Sequence, residues 1–134
     1  MIRKSLSLFA VVCLVVAAVG CGKLHTLRNY ENEPMPQTNA KLTEAKIKDA
    51  IVRAATAQGW KVVPEAGPNL RATKYLRDSK HMGAVKISFT DKEYSIVYAD
   101  SINLKYRKGM IHPSYNTMVL ELKQAVDQEI MRVQ

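Results

Sequence analysis

Cysteine is almost missing from this chain of 134 residues: there are two, Cys13 and Cys21, and residues 22–134 hold none. A disulfide framework and a thiolate metal site are thereby excluded from the main body, whose stability must come from packing. Histidine is scarce as well. His25, His81 and His112 lie in separate segments, and none has a second ligand two or four residues on, the spacing that preorganises a metal site. The six glycines build no phosphate-cradling loop or dinucleotide fingerprint, and there is no Gly-x-Ser-x-Gly turn. No metal or cofactor is expected, and no catalytic residue is assigned.

Long apolar runs are also few, and the one present is at the start. Met1-Ile2-Arg3-Lys4 is a short positive opening, and Leu6 to Gly20 follows as an apolar run ending on small residues. Fifteen helical residues span about 22 Å, short of the ~30 Å hydrocarbon core, so a secretory signal over residues 1–20 fits better than a membrane-spanning helix. The ending Ala18-Val19-Gly20-Cys21 resembles the lipobox of bacterial lipoproteins, with Ala18 where leucine is usual. The resemblance implies cleavage before Cys21, a diacylglyceryl group on its sulfur and acylation of the new amino terminus. Gly22, rather than aspartate, follows the cysteine, which resembles proteins passed to the outer membrane. The expected location is the bacterial envelope, facing the periplasm from the outer membrane. Each buried methylene contributes about 0.8 kcal/mol, and two or more acyl chains hold stably where one does not.

Acidic residues are the minority, 12 against 20 basic; without Arg3 and Lys4 the processed chain keeps 18 basic residues, a net +6. Such a surface attracts nucleic acid, anionic lipid or anionic polymers. Export argues against nucleic acid and leaves lipid headgroups, lipopolysaccharide and wall polymers. The simpler reading is that the lysines keep the domain soluble.

Three regions follow: the signal, residues 1–20; the lipidated cysteine and a flexible tether, 21–40; and one α+β domain, 41–134. The tether reading rests on Asn29, Asn32, Asn39, Pro34 and Pro36 among few apolar residues, and would reach about 25 Å. Thr43 is a suitable N-cap for a helix carrying Ile47, Ala50, Ile51 and Ala54 on one stripe, and Gly59 a suitable terminator. Strands are predicted at Trp60–Val63, Leu70–Arg77, His81–Thr90 and Glu93–Ala99, with Asp100-Ser101 a turn. A hairpin around Asp91-Lys92 would oppose Phe89 with Tyr94, Ile87 with Ile96 and Val85 with Tyr98 on one apolar face. His112-Pro113 opens a long helix with Tyr115, Met118, Val119, Leu122, Val126, Ile130 and Val133 on its stripe. The expected fold is a three- to four-stranded antiparallel sheet with the N-terminal helix and the longer C-terminal helix on one face.

Asp100, Ser101 and His112 are the residue types of a hydrolase triad, but Ser101 sits beside its supposed carboxylate partner and no oxyanion loop is evident. More unusual is the density of polar aromatics in residues 94–116, which hold four of the six tyrosines. The block Tyr-Ser-Ile-x-Tyr-x-Asp-Ser-x-Asn-Leu-x-Tyr (Tyr94 to Tyr106), followed by Ile111-His112-x-x-Tyr115-Asn116 and preceded by Gly59-Trp60, resembles small bacterial lipoproteins of α-β-β-β-α build. The likeness spans about residues 43 to 130 and brings no activity with it. Either these side chains bond one another and close the strand-to-helix corner, or Tyr98, Asp100, Asn103, Tyr106, His112 and Asn116 line a polar recess for a ligand or partner segment. A second candidate is the sheet face away from the helices, where Arg71, Arg77 and Lys86, with Tyr75, could seat an anionic glycan or headgroup.

The leading expectation is a lipid-anchored, non-enzymatic binding or assembly module of the envelope, with an envelope protein as partner. The alternatives are a binder or sensor of an anionic envelope component, and an enzyme whose site lies near Asp100 and His112.

Overall fold

The computed structural model describes residues 23–134. The expected signal, residues 1–20, and the expected lipidation site, Cys21, lie outside the described residues. In chain order the elements are β1 (His25–Thr26), β2 (Tyr30–Pro34), α1 (Glu44–Ala57), β3 (Lys61–Pro64), β4 (Leu70–Tyr75), β5 (Met82–Phe89), β6 (Glu93–Ile102), β7 (Met110–Ile111) and α2 (Pro113–Met131). This is a mixed α+β fold. Five antiparallel strands lie in the order β2-β6-β5-β4-β3, and β1 pairs with β7 as a separate two-stranded ribbon.

Local chemistry sets both helices. The Thr43 side chain accepts from the Lys46 amide at 3.3 Å, satisfying one of the amides that open α1 without an intrahelical partner. Beyond the other end Gly59 takes φ +84°, a left-handed position that costs glycine nothing. Ile47, Ala50, Ile51, Ala54 and Ala55 are all buried; three alanines in that stripe let α1 lie close to its neighbours. At α2 the His112 Nδ1 accepts from the Ser114 amide at 3.1 Å, and Pro113 occupies the first turn, where no amide is needed. The stripe of α2 from Tyr115 to Ile130 merges with that of α1 and with Leu70, Ala72, Val85, Ile87, Tyr94 and Ile96 in one core.

The β5–β6 hairpin has the expected register. Phe89 opposes Tyr94, Ile87 opposes Ile96 and Val85 opposes Tyr98, and the Thr90 amide donates to the Glu93 carbonyl at 2.8 Å across the turn. At Gly83 the backbone comes close to α2: a Cβ there would stand 2.1 Å from Met118 Cε and 3.1 Å from a Tyr115 ring carbon. A side chain here would have to displace the Met118 methyl and press on the Tyr115 ring, so glycine fits the approach best.

Three expectations are corrected. The sheet has five strands, not three or four, and the additional strand comes from the segment read as a tether. Tyr30-Glu31-Asn32-Glu33-Pro34 lacks apolar alternation because it is an edge strand with one buried residue and an irregularity between Tyr30 and Glu33. Asn32 is left-handed there (φ 53°), and its amide donates to the Ser95 hydroxyl at 2.9 Å. Edge strands bond on one side only and tolerate proline, so composition alone made this one look like linker. The domain therefore starts well before residue 41, with the Leu27 amide donating to the Gly109 carbonyl at 2.8 Å. Finally, Asp100-Ser101 is not a turn: β6 runs on to Ile102, and the chain bends at left-handed Asn103 (φ 58°).

A tyrosine corner and two charged surfaces as candidate functional sites

The six residues of the expected recess do not converge. Register decides the matter for two of them. Val85 pairs with Tyr98 but Ala84 pairs with Asp100, so one extra residue, Ala99, sits in β6 between them. Neighbours on β5 point to opposite faces, so this bulge puts Tyr98 and Asp100 on opposite faces as well. Tyr98 turns toward α2, stacking on Tyr106 (centroids 4.2 Å apart, planes at 25°) and meeting Tyr115 edge-on (5.6 Å, 65°). Its phenol exchanges a 2.8 Å hydrogen bond with the Ser101 hydroxyl. Burial pushes the Tyr98 phenol above its ordinary value, with Asp100 and Tyr106 adding to the rise and the Ser101 bond opposing it. Asp100 faces the other way, with its second carboxylate oxygen 3.8 Å from the Arg71 guanidinium and its first accepting from the Ser101 amide at 2.8 Å.

The other three hold the chain together. Asn103 Nδ2 donates to the Lys80 carbonyl at 2.6 Å, tying the end of β6 to the turn after β4. His112 caps α2 and exchanges a 2.8 Å bond with the Ser114 hydroxyl. Asn116 clamps the N-terminal segment: its Oδ1 accepts from the Arg28 amide at 3.0 Å, and its Nδ2 donates to the Thr26 carbonyl at 2.9 Å. Asn29 repeats the device on β6, its Oδ1 accepting from the Tyr98 amide at 2.8 Å. No hydrogen bond among the described residues joins Asp100, Ser101 and His112 into a relay: Asp100 meets Arg71 and a backbone amide, whereas His112 meets the first turn of α2. Asn116→Ala should free the Arg28 amide, raising its hydrogen-exchange rate about fivefold for one lost bond of ~1 kcal/mol. An unchanged rate would mean the clamp does not hold in solution.

The expected anion-binding face is divided too. Arg71 lies between Glu65 (3.7 Å) and Asp100 (3.8 Å), so two carboxylates already answer its charge. Ala84, paired with Asp100 in the next row, is fully buried. Lys86 is exposed in the row beside Arg71, while Arg77 lies two residues past the end of β4. The far row of the same face is apolar, with Tyr75, Met82 and Ile102 paired across three strands.

Arg77 belongs to a feature that sequence reasoning missed. With Leu76, Asp78, His81, His112 and Ser114 it lines a concavity of about 420 Å³ between the β4–β5 turn and the start of α2. Asp78 organises the turn, accepting from the Lys80 amide at 2.9 Å and bonding His81 Nδ1. The Lys80 amide, followed by the His81 contacts, holds the Asp78 carboxyl below its ordinary value despite opposing desolvation. The Asp-x-x-His spacing was the available signal, but nothing local links it to His112, which is 31 residues further on. Among the described residues no three His, Cys, Asp or Glu side chains gather as a metal site, and no helix is long and apolar enough to cross a membrane.

The two sequence-predicted surfaces thus resolve into a packed aromatic corner and a partly neutralised sheet face. Comparison with family models, with curated proteins and with solved structures finds no match to this chain, so its own residues carry the functional reading.

Proposed function

We propose that the chain is a lipid-anchored protein of the bacterial envelope, held by acyl chains on Cys21 and acting as a non-enzymatic binding or assembly module. The observation that carries the reading is the lipobox-like Ala18-Val19-Gly20-Cys21 at the end of a positively started apolar run. The neighbouring structure is compatible with it: β1 begins four residues after Cys21, so a folded domain follows the processed end directly. A binding role is favoured over a catalytic one because Asp100 and His112 serve separate structural contacts, and the tyrosines stack on one another. Binding of an anionic component by Arg71, Arg77 and Lys86 is the weaker alternative, given the two carboxylates beside Arg71.

Cys21→Ser is the test of the anchor. The wild-type chain should fractionate with membranes and take up a fatty-acid label; the variant should lose the label and leave the membrane fraction. Identical fractionation, or no label on the wild type, would remove the reading. Crosslinking in intact envelopes tests the module role and should recover one defined protein repeatedly.

A further inference from the structure

We infer that the end of the domain formed by residues 23–28 and 105–108 docks on the anionic headgroups of the bilayer that holds the acyl chains, so that the anchor sets orientation as well as position. The inference rests on the lipid-anchored reading of Cys21.

The first ground is the length of chain available. An expected tether of some twenty residues would leave the domain free to turn. Instead Thr26 pairs with Met110, the Leu27 amide donates to the Gly109 carbonyl, and Asn116 grips the backbone at Thr26 and Arg28. Only four residue steps separate Cys21 from His25, a reach of roughly 14 Å when fully extended. Whatever surrounds β1 is therefore held within about one or two screening lengths of the bilayer surface.

The second ground is charge. Lys23, Arg28, Lys105, Arg107 and Lys108 are all exposed, and residues 22–30 and 101–120 contain no Asp or Glu. None of the five cations takes part in an ion pair among the described residues. The ribbon brings the two stretches together, because Gly109 and Met110 meet Leu27 and Thr26 directly after Arg107-Lys108. The adjoining turn, joined through Asn103 to Lys80, adds Arg77 and Lys80 and one carboxylate, Asp78, which His81 engages. Lys105 and Lys108 both hold left-handed backbone (φ 55° and 49°), where glycine or asparagine would be less strained. Between them Tyr106 is 46% exposed, an amphipathic ring of the kind that settles at headgroup level. Clustered cations beside an anchor are what an anionic leaflet attracts, each contributing roughly fivefold in surface affinity.

The experiment uses the acylated full-length product on phosphatidylethanolamine vesicles with and without phosphatidylglycerol, with lysine labelling mapped by mass spectrometry. Labelling of Lys105 and Lys108 should fall about tenfold on the anionic vesicles, since five such cations make the docked pose dominate. Lys61 and Lys86, on the sheet, should label equally on both. About 1 M salt, where the screening length shrinks to ~3 Å, should restore labelling. Equal labelling of Lys105 and Lys108 on the two vesicle types, protection that ignores salt, or equal protection of Lys61 and Lys86 would each overturn the inference. Those outcomes leave the anchor intact, because the protein would still float with the vesicles. Failure to float, with no acyl mass on Cys21, would instead overturn the anchoring itself.

Discussion

Tyr115→Ala should cost about 3–5 kcal/mol of stability, the usual range for truncating a fully buried aromatic side chain. Tyr115 is 1% exposed, and its ring meets Tyr98 edge-on while lying against the bare backbone of Gly83. Truncation would leave a void at the point where α2, β5 and β6 meet, bounded by the Tyr98–Tyr106 stack and unable to collapse without moving the helix. The edge-on pair adds about 0.5–1.5 kcal/mol beyond burial. The thermal midpoint should fall by roughly 15–25 °C in a domain of this size. Tyr98→Phe, which removes only the bond to Ser101, should cost ~1 kcal/mol or less. Denaturant titration of the two variants separates a packed corner from an open recess. A loss below ~1 kcal/mol for Tyr115→Ala would mean that the corner is not closed.

Stability should fall steeply in alkali, and Tyr94 should carry much of the fall. Tyr94 is 1% exposed, and its phenol donates to Asp127 Oδ1. The other Asp127 oxygen accepts from Lys123 Nζ at 2.8 Å, and Glu33 lies 3.7 Å from the same ammonium. Burial, then the Asp127 hydrogen bond and charge, push the Tyr94 phenol far above its ordinary value; burial does the same to Tyr115. Desolvation alone would lower the Lys123 ammonium, but Asp127 and Glu33 outweigh it and raise it. For a phenol whose folded pKa lies above its unfolded value of about 10, the stabilisation is complete below that pH. It is lost as pH rises through the window above about 10, where the unfolded chain releases its proton and the folded one does not. The slope approaches ~1.4 kcal/mol per pH unit for each such tyrosine. Tyr94→Phe should remove one share of that slope, with the lysine background common to both proteins. Asp127→Ala should cost about 1.5–3 kcal/mol at neutral pH by stripping a charged acceptor from a buried hydroxyl. Denaturant midpoints between pH 8 and 11 decide the point, and equal slopes for wild type and Tyr94→Phe would overturn the assignment.

Much of this architecture was legible without coordinates, for reasons that are local. The β5–β6 pairs follow from period-two alternation around a short turn, and the caps at Thr43 and His112-Pro113 follow from which side chains can satisfy free amides. The candidate sites were less legible. The expected recess brought Tyr98 and Asp100 together, but β6 runs on through Asp100 and the bulge at Ala99 puts the two on opposite faces. Arg71 was expected to seat an anion, but Glu65, in the loop after β3, and Asp100 of β6 reach it.

By itself the sequence determined the absence of thiols beyond Cys21, the two amphipathic helices and the hairpin, because each depends on neighbours in the chain. Tertiary structure alone decided that residues 23–34 are part of the fold, that the tyrosines shut a corner, and that Lys23, Arg28, Lys105, Arg107 and Lys108 share one end. An edge strand and a clamped segment take their hydrogen bonds from distant partners, here β6, Gly109 and Asn116, and no local composition announces such partners.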